Sequence, residues 1–121
     1  MPRNVVPMIH VPDVRSTVAW YETLGFTVEG TNEDDGEMNW ARLTFGRGEL
    51  MFAAGGHPST AERREMDVYI EVDEVEALYQ RLKERAELVA EINDTFYGMR
   101  EFIIRDLNRF WITFGQPVAT G

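Results

Sequence analysis

The stretch Val11–Phe26, "VPDVRSTVAWYETLGF", decides how this chain is read. Asp13 stands where a helix wants a side-chain acceptor for its first unpaired N–H groups. Val14, Val18 and Tyr21 then recur on one helical face. Gly25 follows where a left-handed residue closes a helix. The segment therefore reads as a helix from Asp13 to about Leu24, entered from a strand over Val5–Val11. Sixty-one residues later the plan returns. Val11 and Val72 differ by 61, as do Val14 and Val75, and Val18 and Tyr79.

Working outward, "FTVEG" reads as a strand and "TNEDDGE" as a polar turn. "MNWARLTFG" and "ELMFAA" read as strands joined at Gly46-Arg47-Gly48. In the second half "MDVYIEV" is a strand. Asp73 or Glu74 then caps a helix carrying Val75, Leu78, Tyr79 and Leu82 on one face. "AELVAEIND", "GMREFIIRD" and "RFWITFG" supply three more strands. Both halves read β-α-β-β-β. The expectation is an α+β single domain over residues 1–121, with module 1 at about 4–54, a linker at about 55–65 and module 2 at about 66–117. The linker, "GGHPSTAERRE", is read with a helical turn starting near Ser59 or Thr60. A unit of ~50 residues with a half-covered sheet is marginal alone. Two together can make a curved sheet with helices on one face and a cleft on the other.

Composition narrows the function. There is no cysteine, which excludes disulfides and thiolate metal sites and fits a cytoplasmic setting. Twelve Lys plus Arg against 21 Asp plus Glu give a net charge of −9, which disfavours nucleic acid and anionic membranes and complements cationic ligands. No apolar run approaches the ~20 residues needed to cross a bilayer.

Several motifs together resemble the vicinal oxygen chelate superfamily, which contains glyoxalase I, fosfomycin-resistance enzymes, extradiol dioxygenases and bleomycin-resistance proteins. The carrying residues are Val11-Pro12-Asp13, Trp20-Tyr21, Leu24-Gly25-Phe26, the strand "GRGELMF", and "GMREFIIRDLNRFWITFGQ" as a closing hairpin. The resemblance runs from about Val5 to Gln116. Two positions depart from the pattern. An Asp-Pro-Asp-Gly turn is replaced by Asp106-Leu107-Asn108-Arg109, in which Asn108 can take the left-handed conformation. Ala86 stands at the counterpart of Gly25.

The resemblance also implies where a catalytic metal would be held. The positions fall on Val6, Asp67 and Thr113, with a fourth near Ala53. Only Asp67 is a good ligand, and a catalytic ion wants about three His, Asp, Glu or Cys donors. No metal or other cofactor is expected. The competing donor set is His10, Glu49 and Glu71, which would support a metal-dependent glyoxalase- or dioxygenase-like enzyme. No catalytic residue or activated nucleophile is evident.

Strand alternation assigns faces. Val5, Ile9, Val11, Leu43, Phe45, Leu50, Phe52, Val68, Ile70, Val72, Phe110, Ile112 and Phe114 point to the helices. Met8, His10, Trp40, Glu49, Met51, Asp67, Tyr69, Glu71, Trp111 and Thr113 share the opposite face, and these are the candidate ligand-binding residues. Such a surface suits flat heteroaromatic and cationic ligands. The bleomycin-resistance branch implies a cytoplasmic homodimeric binder that sequesters an antibiotic, with paired chains forming the clefts and the N-terminal strand exchanged. A partner-binding or regulatory module is the remaining alternative.

Overall fold

The computed structural model describes residues 1–118. The chain divides into two compact units, Met1–Ser59 and a second that starts at Thr60. In the first, β1 (Met8–His10) leads into α1 (Val14–Leu24), then β2 (Thr27–Asp34), β3 (Glu37–Phe45) and β4 (Gly48–Ala53). The second repeats the order with β5 (Asp67–Glu71), α2 (Val75–Leu82), β6 (Glu87–Asp94), β7 (Met99–Arg105) and β8 (Trp111–Pro117). The sheets are ordered β1-β4-β3-β2 and β5-β8-β7-β6. In each, the first strand pairs parallel to the last and the other pairings are antiparallel. Both are the expected βαβββ modules.

Helix α1 forms as its ends require. The Asp13 carboxylate accepts the Ser16 N–H at 3.0 Å, and that bond, before all other influences, holds its pKa below the usual carboxylate value. Gly25 closes the helix at φ 110°. Val14, Thr17, Val18, Tyr21 and Leu24 are buried, and α1 packs on β2, β3 and β4. Tyr21 meets Phe26 edge-on at 5.2 Å and Phe52 at 4.8 Å. Helix α2 is shorter and has no side-chain cap on Glu74. Its first N–H, at Val75, instead donates to Gln116 Oε1 at 3.1 Å, so β8 caps it from below. Of the four expected core residues on α2, Val75 and Leu82 are buried while Leu78 and Tyr79 are half-buried.

Several expectations are corrected. Val5 is 89% exposed and not core, because regular β1 pairing begins only at Met8. Val68, Ile70 and Val72 are only half-buried, since α2 packs on β7 and β8 rather than over β5. The polar run "TNEDDGE" is largely strand. Strand β2 continues to Asp34, and the turn shrinks to Asp35-Gly36, both at positive φ. Two such residues match the strand twist, so the hairpin extends through polar sequence. Residues 55–65 contain bends but no helical turn. In the closing hairpin Arg109, not Asn108, adopts positive φ (71°). The Asp106 carboxylate accepts the N–H groups of Asn108 and Phe110 at 2.8 and 2.9 Å, which fixes Asn108 and pushes the left-handed step one residue on.

Candidate functional site

The helix-free face of each sheet is built by strand parity. In the first unit β1 sets Met8 opposite Met51 and His10 opposite Ala53, while β3 sets Arg42 opposite Met51, Trp40 opposite Ala53 and Thr44 opposite Glu49. Ile9, Ala41, Leu43, Leu50 and Phe52, which alternate with these, are buried on the helix side. So Met8, His10, Trp40, Glu49 and Met51 share one face, as expected. Met8 and His10 are exposed; Trp40, Glu49 and Met51 are half-buried. The Trp40 ring lies over Gly30, where an added Cβ would stand 3.5 Å from its Cζ3. Glu49 accepts from Arg42 and, at 2.8 Å, from the Asn4 amide. His10 Nδ1 sits 3.0 Å from the Ala54 carbonyl oxygen. A carbonyl only accepts, so Nδ1 is the donor in this contact.

In the second unit β5 sets Asp67 opposite Trp111, Tyr69 opposite Thr113 and Glu71 opposite Gly115. Asp67, Tyr69 and Glu71 are exposed, Trp111 is half-buried and Thr113 is buried. Two features of this face escaped sequence reasoning. One is Glu101, only 6% exposed, whose two carboxylate oxygens accept the Tyr69 and Tyr97 hydroxyls at 2.7 Å each. An acidic residue inside the apolar strand "REFIIR", at the parity opposite buried Phe102 and Ile104, is the signal that marks it. The other is the segment at residues 61–64. Its Arg63 guanidinium carbon lies 4.1 Å from the Trp111 ring centroid, and its Nη2 is 2.8 Å from Asp67 Oδ2.

Burial first, then the hydrogen bond to Glu101, drives the Tyr69 hydroxyl pKa well above the ordinary tyrosine value. Tyr97 is raised as well, chiefly by its bond to the same carboxylate. A pKa raised on folding contributes stability that is fully present below the unfolded value near 10 and is lost as pH climbs toward the folded one. In an absorbance titration at 295 nm, Tyr69 should resist ionisation through pH 11, and Tyr97 should ionise later than a free tyrosine. Gly115→Ala should return Tyr69 to the ordinary range, because a Cβ there would lie 2.2 Å from Tyr69 Oη. An unchanged titration in that variant contradicts the packing of Tyr69 over Gly115.

The register also settles what the family's metal positions hold. Met8 and Tyr69 differ by 61, but their neighbours Met51 and Thr113 differ by 62, because the matching buried pairs Leu43↔Leu50 and Ile104↔Ile112 enclose hairpins that differ in length by one residue. The fourth position is therefore Met51, not Ala53. The set becomes Val6, Met51, Asp67 and Thr113: no donor, a soft thioether, a carboxylate already paired with Arg63, and a neutral hydroxyl. That set does not suit Zn²⁺ or a harder divalent ion. The competing set fails on geometry. Glu49 lies four residues along β4 from Ala53, the register partner of His10, or about 13 Å at the strand rise. Among the described residues no group of three or more His, Asp or Glu could hold a metal. No helix among them is long and apolar enough to cross a membrane.

Paired βαβββ units of this topology define a class of proteins. The sequence profile of the Glyoxalase/Bleomycin resistance protein/Dioxygenase superfamily matches residues 5–114, and the chain belongs to that superfamily. Among solved structures it is similar to TioX from Micromonospora sp. ML1, at 23% identity and TM-score 0.78, covering 97% of this chain and 100% of that one. It is also similar to the bleomycin-binding protein from bleomycin-producing Streptomyces verticillus, solved with copper(II)-bleomycin, at 22% identity and TM-score 0.70, covering 99% and 98%. A glyoxalase-related enzyme from Clostridium phytofermentans aligns at 18% identity and TM-score 0.76, covering 98% and 97%. No curated protein matches the chain in sequence.

Proposed function

We propose that this protein is a metal-free binder of small organic molecules, of the bleomycin-resistance type, that sequesters a flat aromatic and cationic ligand. One observation carries the reading. The helix-free face of each sheet presents large apolar side chains together with carboxylates, Met8, Trp40 and Met51 on the face that carries Glu49, and Tyr69 and Trp111 on the face that carries Asp67 and Glu71, while of the family's metal positions only Asp67 keeps a good donor. Aromatic rings and methionine favour stacking, and carboxylates at their rim favour positive charge. In this reading Met8, Met51, Trp40, Tyr69 and Trp111 give apolar contact. His10, Glu49, Asp67 and Glu71 orient polar groups. Thr113, being buried, supports the floor. The protein works as a cytoplasmic homodimer, and antibiotic resistance is the physiological outcome.

A ligand screen followed by tryptophan fluorescence, with bleomycin as its first compound, tests the proposal. Trp40→Ala should weaken any hit by about tenfold or more, the scale of an aromatic anchor. A hit whose affinity is indifferent to both Trp40→Ala and Trp111→Ala places the ligand elsewhere.

A further inference from the structure

Arg63 does to Trp111 and Asp67 what a ligand would do. Asp67 stands opposite Trp111 across the β5–β8 ladder. One guanidinium bridges them, stacked on the ring at 4.1 Å and ion-paired to the carboxylate at 2.8 Å. A flat face beside a carboxylate is a recognition element for a planar cation. Guanidinium satisfies both parts at once, by cation–π contact and by charge-assisted hydrogen bonding.

The backbone of this segment does not depend on Arg63. Arg109 Nε donates to the Ala61 carbonyl at 2.6 Å and Arg105 Nη2 to the Glu62 carbonyl at 2.8 Å. Trp111 Nε1 donates to the same Glu62 oxygen at 3.3 Å. Arg64 stacks on Phe110 at 4.3 Å and donates to the Asn108 carbonyl at 2.9 Å. The Arg63 side chain is 58% exposed. It can therefore swing into solvent while the main chain and the Trp111 indole stay where they are.

We infer that Trp111 and Asp67 form a subsite for planar organic cations, amidinium or guanidinium groups and protonated heteroaromatic rings, which Arg63 fills until such a ligand displaces it. This names the ligand class at part of the proposed binding face and rests on that reading. Arg63 acts as a tethered competitor. It keeps neutral aromatics from gaining the carboxylate and sets a threshold that only a cation with its own stacking surface passes.

Benzamidinium and its neutral analogue benzamide are the probes, titrated against full-length protein and followed through the Trp111 Nε1–H resonance, assigned with Trp111→Phe. Arg63→Ala should bind benzamidinium about 5- to 10-fold more tightly than the wild type, the scale of one exposed cation–π contact plus one exposed ion pair. Benzamide affinity should stay within about twofold. Arg63→Met, which keeps the stem and loses the charge, should show the same gain if Arg63→Ala disturbs the segment. Adding Asp67→Asn should remove the gain. No gain for benzamidinium in either variant, or an equal gain for benzamide, overturns the inference. Wild-type protein that binds bleomycin while Arg63→Ala gains nothing overturns this inference alone. The predicted gain without any bleomycin binding leaves the subsite standing and counts against the broader reading.

Discussion

Phe52→Ala and Phe114→Ala should each cost about 3–5 kcal/mol in chemical denaturation, the largest single-residue losses expected in this chain. Both side chains are fully buried. Phe52 lies opposite Ile9 on β1 and Ala41 on β3, with the Tyr21 ring of α1 at 4.8 Å. Phe114 occupies the matching place, opposite Ile70 and Phe102, and stacks on Phe102 at 5.1 Å. Removing either ring deletes apolar burial at the middle strand pair of its sheet and leaves a cavity that fixed backbones cannot close. Since domains are stable by only about 5–15 kcal/mol, either change brings the fold near its limit. Phe→Leu at the same sites should cost far less, because most of the volume is kept. A loss below about 1 kcal/mol for either alanine variant contradicts the placement of these residues.

Gly56→Ala should be the next most damaging, at about 2–3 kcal/mol, on the upper side of what overpacking usually costs. A Cβ on Gly56 would stand 2.3 Å from the His10 carbonyl oxygen and 2.5 Å from Val11 N. Those are backbone atoms in paired strand, so no side chain can rotate out of the way. The shift would also break the bond from Gly56 N–H to the Val11 carbonyl, now 3.2 Å. Gly55 takes φ 98° to bring the chain in. The Gly55-Gly56 pair is thus a seam that ties the exit of β4 to the end of β1 and holds His10 against Ala54. Gly56→Ala should therefore lower the midpoint of urea unfolding and shift the His10 ring resonances. Unchanged stability contradicts the close approach.

Much of this was legible in the sequence, for physical reasons. The Asp13 cap, the apolar face of α1 and the Gly25 stop are local signals, and the 61-residue return of the same order made two modules the simplest reading. The parity of β3 and β4 was readable because buried apolar residues alternate with half-buried ones, and that of β8 because Ile112 and Phe114 alternate with smaller or polar residues. Other features depended on contacts that spacing does not encode. Val5 looks like strand but lies outside the regular pairing. The polar end of β2 pairs because its turn fits, not because its residues favour strand. The extra residue in the 106–110 turn shifts β8 by one against the repeat, which moved the fourth metal position from Ala53 to Met51. Glu101 is held by tyrosines 32 residues before it and 4 before it, and Arg63 crosses from what reads as a linker.

The proposed metal-free reading rests on the poor donors at Val6 and Met51 and on the aromatic and acidic side chains of the helix-free faces. The most direct test is isothermal titration of protein stripped with EDTA and verified metal-free by mass spectrometry, using metal-free bleomycin, then repeated with added Zn²⁺, Mn²⁺ or Ni²⁺. The account predicts saturable binding without metal, unchanged by the added ions and weakened about tenfold by Trp40→Ala. Stoichiometric uptake of a divalent ion by the protein alone, or ligand binding that appears only when the ion is present, would contradict it.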